Sequence, residues 1–199
     1  PRSMMVRFHT QTAGCSLTEQ QPEVNLVRVA IQALAAVLGG TQSLHTDAMD
    51  EAIALPSDKA ARLAVRTQQV ILHESGVSNT VDPLGGSYFL ERLTADIERD
   101  AEASFAKIDS LGGVIRAIET GYLQKEIADA SARFQREVES RDRIIVGVNE
   151  YALDEPLQIP ILRMDPDGER RHLARLKRFK AERDHEAWST AMSRLDQAS

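Results

Sequence analysis

Ser3-Met4-Met5-Val6-Arg7-Phe8-His9-Thr10-Gln11-Thr12 and, further on, Gly39-Gly40-Thr41-Gln42-Ser43-Leu44-His45-Thr46 decide the fold class, together with the run that joins them. In the first segment Met4, Val6 and Phe8 alternate with Met5, Arg7 and His9. That is the period of a strand, and Thr10-Gln11-Thr12-Ala13-Gly14 breaks it. From Glu23 to Leu38 the apolar residues Val24, Val27, Ile31, Leu34 and Leu38 recur at three- and four-residue spacings. The spacing predicts an amphipathic helix, closed by Gly39-Gly40 as a C-cap. A short strand over Thr41–Thr46 follows. Strand, helix, strand in this order is a parallel crossover unit. Both strands finish in polar residues at their carboxyl ends, where α/β folds bind ligands, although polar residues also simply terminate strands.

Downstream the pattern turns helical. Ser57 is placed to cap a helix that runs to about Ser75 and stops at Gly76, with Asp58 near its positive end. Asp82-Pro83-Leu84-Gly85-Gly86-Ser87 is a turn-rich connection. Leu90, Leu93, Ile97, Ala101, Ile108 and Leu111 mark a long helix ended by Gly112-Gly113. A short helix and then a longer one from about Tyr122 to Glu139 are predicted next. Ile144–Val148 and Ile159–Met164 read as two short strands, and charged helices are expected from about Asp167 to Leu195. The expected organisation is 1–56 as two βα units, 57–143 as a helical extension, and 144–199 as a linker or subunit-contact region. A closed barrel needs eight such units and about 250 residues. A small open α/β layer satisfies the pattern, and so do the last two units of a barrel whose beginning lies elsewhere.

Composition narrows the function classes. Hydrophobic residues make up 42% and charged residues 27% of the 199 positions, an ordinary globular balance. With a net charge of −6 the chain lacks the overall positive field that phosphate backbones demand, so nucleic acid is not an expected partner. The basic run from Arg170 to Arg183 reads as a solvated helix face or a subunit contact. Cys15 is the only cysteine, which rules out an intrachain disulfide and points to a reducing, cytoplasmic setting. No apolar stretch is long enough to span a bilayer and no leader pattern opens the chain, so no membrane association is expected.

The residues able to carry chemistry cluster at the two strand ends: His9, Gln11, Gln42, Ser43, His45 and Glu51. Amides and a hydroxyl suit hydrogen bonding to a carbonyl, an amide or a purine edge, and an imidazole can donate to a thioester or phosphate oxygen. Ordinary strand capping accounts for the same residues. His9 and His45 have no cysteine or histidine cluster around them, so no metal site is expected. Ser16 and Ser43 lack a nucleophile-elbow context. Gly39-Gly40 and Gly85-Gly86 lack the lysine and spacing of a phosphate loop. Cys15 reads as a small packing residue, and the lone Trp188 as a packing anchor on a charged helix.

Arg7-Phe8-His9-Thr10-Gln11-Thr12-Ala13-Gly14-Cys15-Ser16-Leu17-Thr18 resembles a signature of the methylmalonyl-CoA mutase family. So do Gly39–Thr46, Asp50-Glu51-Ala52, Leu55-Pro56, Arg66-Thr67-Gln68-Gln69, Glu74-Ser75-Gly76, Asp82–Tyr88 and Val146-Gly147-Val148-Asn149, all in family order. The resemblance implies an α/β fold: the C-terminal part of a (β/α)8 TIM barrel, its last two strand–helix units, followed by a mainly helical extension. It implies an acyl-CoA substrate, adenosylcobalamin as cofactor, and a radical 1,2-rearrangement of the carbon skeleton. (R)-Methylmalonyl-CoA to succinyl-CoA is the leading reaction. The alternatives are isobutyryl-CoA or 2-hydroxyisobutyryl-CoA, or a non-catalytic assembly module.

Residue by residue, the resemblance puts His9, Gln11, Gln42 and Ser43 against the substrate, with His9 and Gln11 as the catalytic pair. It puts Gln11, Gly14, Cys15, Glu51, Ala52 and Leu55 against the cofactor, Glu51 near its ribose. Cys15 stands where many relatives carry tryptophan, and Glu23-Val24 where a Tyr-Asn pair is frequent. The Gln124–Asp129 stretch looks more like subunits that recruit a separate cobalamin-binding subunit. The Asp-x-His-x-x-Gly cobalamin loop is absent: His73-Glu74-Ser75-Gly76 matches its second half, but Ile71 holds the Asp position. The implied partners are the remainder of the barrel and a cobalamin-binding subunit or domain, without which the chain is expected to be inactive.

Overall fold

α1 (Val24–Leu38) begins at a turn in which the amides of Val24, Asn25 and Leu26 bond the carbonyls of Gln21, Pro22 and Glu23, and it ends at Gly39. It links two strands, β1 (His9–Gln11) and β2 (Ser43–His45), which pair in parallel with His9 opposite Ser43 and Gln11 opposite His45. These observations come from a computed structural model that describes residues 5–154 and 159–198. The chain is thus α/β, mostly helical with one small parallel sheet. Both strands are shorter than their sequence patterns, at three residues each. A strand is held by its neighbours, and among the described residues each has one. Met5, Val6 and Phe8 lie before the ladder and are exposed, while Ser3 and Met4 are outside the described residues.

The buried face of α1 differs from the stripe its spacing predicts. Asn25, Val29 and Ala33, one row at four-residue intervals, are buried, whereas Val27 and Ile31 are 60% and 65% exposed. The helix is apolar on two faces, and among the described residues only one is covered. A helix apolar all round is one meant to be buried on more than one side. α2 (Asp58–Glu74) starts as expected: the Ser57 hydroxyl accepts from the Ala60 amide at 3.3 Å. It ends at Ser75, where Gly76 takes φ 74°. Glycine enters that left-handed conformation at no steric cost. Ala48, Met49 and Ala60 form the core against Leu26, Leu63 and Ile159.

α3 (Tyr88–Ser110), α4 (Val114–Glu119) and α5 (Tyr122–Glu139) make the helical extension. No residue of α3 or α5 is fully buried; on the α3 stripe Leu93 and Ile97 are exposed and Leu90 and Ile108 half-buried among the described residues.

The two short strands expected in the tail do not form. Residues 144–148 make a turn with a single isolated bridge, Val146 to Glu150. Gly147, at φ 83°, reverses the chain there, and the Asn149 side chain takes over the backbone groups that a ladder would use. Its Oδ1 accepts from the Ile145 amide at 2.7 Å, and its Nδ2 donates to the carbonyls of Val138 and Arg143 at 2.8 and 2.7 Å. Ile159–Met164 has no strand partner among the described residues; Ile159 instead packs on the Ala48/Met49/Ala60 cluster.

One compact unit extends to Ile161, and a second begins at Leu162. The second holds the charged helices α6 (Gly168–Ala181) and α7 (His185–Ala198). Asp184 caps α7 by accepting from the Ala187 amide at 2.9 Å. Trp188 is anchored by the Arg183 guanidinium, 5.1 Å from its ring centroid, and by the edge of His185. No described helix is long and apolar enough to cross a membrane.

Candidate ligand-binding face

Side chains two apart on a strand share a face, and parallel register aligns the faces of neighbours. β1 and β2 therefore present His9, Gln11, Ser43 and His45 together on one exposed face, with Thr10 and Leu44 on the other. His9 Nδ1 lies 2.6 Å from Ser43 Oγ, so the two positions act as one hydrogen-bonding unit. Gln42 is used differently: its Oε1 accepts from the Phe8 amide at 2.9 Å, extending the strand pairing beyond the ladder.

At the carboxyl ends of the strands, Asp47 ties the two units together. Its side chain is 1% exposed. A buried carboxylate is tolerated only when donors surround it. Gln11 Nε2 donates to Oδ1 at 2.8 Å, and Thr12 Oγ1 to Oδ2 at 2.9 Å. Thr12 Oγ1 in turn accepts from the Asp47 amide at 2.9 Å, and the Thr12 amide bonds the His45 carbonyl at 3.1 Å. Thr46 is buried beside it, with Oγ1 bonding the Ala64 carbonyl at 2.8 Å and accepting from Gln68 at 2.9 Å.

The turn after β1 is fixed from α1. Gln32 Oε1 accepts from the Ala13 amide at 2.6 Å while its Nε2 donates to Ser16 Oγ at 2.7 Å. Gly14 opens that turn against the next loop: a Cβ there would lie 3.5 Å from Glu51 Cγ and 3.6 Å from Asp47 Oδ2. Cys15, Glu51, Ala52 and Leu55 are exposed, Leu55 by 55%. The Gly14 and Glu51 positions thus come together beside Asp47, with Gln11 on the same carboxylate; His9 and Ser43 pair farther back along the strands. Among the described residues no group of three or more His, Cys, Asp or Glu side chains converges as a metal-ligand set.

Sequence reading missed three polar residues that hold this end of the sheet. Besides Asp47 they are Asn25 and Asp50, both fully buried. Asn25 bonds the Thr18 amide and carbonyl at 3.1 and 2.8 Å and the Met49 carbonyl at 2.9 Å. Asp50 Oδ2 accepts from the Ser57 amide at 2.9 Å, closing the loop into α2. The available signal was the placement of Asp47 and Asp50 around the apolar pair Ala48-Met49 directly after a strand, a setting in which polar residues must be buried along with their neighbours.

The methylmalonyl-CoA mutase family profile matches residues 1–199. A methylmalonyl-CoA mutase of Escherichia coli (strain K12) is 47% identical over the whole of this chain, which covers 28% of that protein. The large subunit of a 2-hydroxyisobutanoyl-CoA mutase from Aquincola tertiaricarbonis is 45% identical over 99% of the chain and 35% of the subunit. The mitochondrial methylmalonyl-CoA mutase of Homo sapiens is 44% identical over 92% of the chain and 24% of its own length. The chain spans roughly a quarter to a third of the length of these relatives, and over all of its own residues it belongs to the methylmalonyl-CoA mutase family.

Proposed function

We propose that this chain supplies the last two β/α units of a (β/α)8 barrel, residues 1–56, and the helical extension that follows, in an adenosylcobalamin-dependent acyl-CoA mutase. The leading reaction is (R)-methylmalonyl-CoA to succinyl-CoA. The observation that carries the reading is the exposed polar face of His9, Gln11, Ser43 and His45, flanked by a helix whose Val27–Ile31 side this chain leaves bare. Such a face suits the inside of a closed barrel, and such a helix suits its outer ring. On this reading the two strands line a channel for acyl-CoA, and their carboxyl ends meet the cofactor.

The residues present fit that cofactor. Gly14, Cys15 and Ala52 are small and Leu55 is apolar and half-exposed, a surface suited to a flat macrocycle. Glu51 is an exposed acceptor beside them, suited to ribose hydroxyls. When bound, the cofactor would supply the radical chemistry that exchanges a hydrogen atom with the substrate. The chain's own residues bind, orient and exclude water: the His9–Ser43 pair donates to the thioester carbonyl, and Gln11 holds the region between substrate and adenosyl group. Positioning in a dry cavity is what this chemistry asks of a protein. His73 lies in the last turn of α2 and Ile71 is buried in it, a helical setting unlike a cobalamin-binding loop, and a cobalamin-binding subunit or domain would hold the rest of the cofactor.

Turnover of methylmalonyl-CoA with adenosylcobalamin is the test, for this chain alone and combined with the rest of the barrel and a cobalamin-binding subunit. Activity only in the combination is expected. A confirmed assembly with no turnover would refute the leading reaction. The similarity to a 2-hydroxyisobutanoyl-CoA mutase large subunit makes that acyl-CoA, and isobutyryl-CoA, the next substrates to assay. Failure with all three favours the assembly-module reading.

A further inference from the structure

We propose that Asp47 is a positioning residue that sets the hydrogen-bonding polarity of Gln11, so that the site offers an acceptor, Gln11 Oε1, to a ligand group that donates there. That group is a hydroxyl or an N–H, not a carbonyl oxygen. The inference rests on the reading above, in which a ligand lies against the carboxyl ends of β1 and β2.

The polarity follows from counting protons. Thr12 Oγ1 accepts from the Asp47 amide at 2.9 Å, so its single proton goes to Asp47 Oδ2, also at 2.9 Å. Among the described residues Oδ1 has one donor within hydrogen-bond distance, Gln11 Nε2 at 2.8 Å; His45 Nε2 is too far, at 3.8 Å. A carboxylate only accepts. The Gln11 amide must therefore turn its N–H inward, which leaves Oε1 outward on an exposed residue, without a partner among the described residues. Because Asp47 is buried, reversing this arrangement would set the Gln11 oxygen against Oδ1 and leave that atom without its donor, and the polarity is locked.

The lock can be inverted by one atom. In Asp47→Asn the Thr12 hydroxyl still needs an acceptor and takes the side-chain amide oxygen that the substitution leaves. The amide nitrogen that the substitution introduces then faces Gln11, whose own amide turns over and presents a donor to the ligand. Adding Gln11→Glu restores an outward acceptor, because one carboxylate oxygen accepts from that introduced nitrogen and the other faces out. A merely structural role for Asp47 would not be repaired by that second change.

The test uses the chain combined with the rest of its barrel and the cobalamin-binding subunit, with 5′-deoxyadenosine as a hydroxyl-bearing probe and its 2′,3′-dideoxy analogue as the control. Asp47→Asn is expected to weaken 5′-deoxyadenosine binding by about tenfold or more, the scale of one lost hydrogen bond facing an unpaired donor. The analogue should respond little, and the melting temperature should hold. Asp47→Asn with Gln11→Glu should recover most of the loss. In the side-chain amide NMR spectrum, Gln11 should show one proton protected from exchange in the wild type and none in Asp47→Asn. Unchanged binding and protection in Asp47→Asn, or no recovery in the double variant, overturns the proposal. A wild-type assembly that binds neither probe removes the mutase reading, while the Gln11 exchange pattern still decides the polarity.

Discussion

Asn25→Ala should be among the most damaging single changes outside the aliphatic core. Asn25 is fully buried and its amide makes four bonds: to the Thr18 amide and carbonyl, to the Met49 carbonyl, and from Arg28 at 2.7 Å. Removing the side chain leaves the buried Met49 carbonyl unpaired, a cost of about 1–3 kcal/mol, and forfeits the Thr18 pair at about 1 kcal/mol each. The sum is about 3–5 kcal/mol, or roughly 10 °C in melting temperature for a chain of this size. Asn25→Asp is the discriminating control. It keeps the acceptor but turns an oxygen toward the Thr18 and Met49 carbonyls, so it should cost at least as much as alanine. Urea unfolding at dilute concentration, followed by circular dichroism, measures both. A loss under about 1 kcal/mol in the two variants would show that this amide network does not hold the strand-end loops.

Other expectations are simpler. Gly147→Ala should destabilise by about 1–2 kcal/mol, since φ is 83° and the new Cβ would come 3.2 Å from the Gln21 amide that bonds the Tyr151 carbonyl; a thermal melt measures it. The Arg171 side chain, with the Asp167 amide behind it, holds the Asp165 carboxyl below the usual carboxylate range. A depressed carboxylate stabilises above its unfolded pKa, so the pair's contribution should be present above about pH 4 and fade below it, and Asp165→Asn should remove that dependence in an acid titration. The isolated chain should self-associate, because its strand edges and the Val27–Ile31 side of α1 are bare. A monodisperse, cooperatively melting monomer in light scattering would count strongly against the barrel reading.

Local signals in the sequence reported local structure well. Ser57 and Gly76 bound α2 because capping chemistry acts over three or four residues. The parallel crossover from β1 through α1 to β2 was legible from its periodicities and the double glycine. Prediction failed where long-range partners decide the outcome. Ile144–Val148 has strand composition, but Gly147 and Asn149 satisfy its backbone locally. The buried row of α1 was misplaced because a helix apolar on two sides does not say which side its own chain covers. At the candidate site, the exposed residues His9, Gln11, Ser43 and Glu51 could be named from their types and positions. Asp47 was signalled only by its place directly after a strand, and Asn25 not at all, because its role exists only once the loops are brought together.

That α3, at twenty-three residues, buries none of its side chains has a consequence for how the chain breathes. Its amides are held mainly by local terms, helix propensity and the Arg92–Asp96 and Arg99–Asp96 ion pairs on its surface, so they should exchange with deuterium much faster than amides of a packed helix. The strand-end lattice of Thr12, Asn25, Asp47 and Asp50 should exchange far more slowly. One polypeptide would then carry a hard seam at the ends of its two strands and a soft arm beyond it. The arm takes its final rigidity from whatever surface it is laid upon.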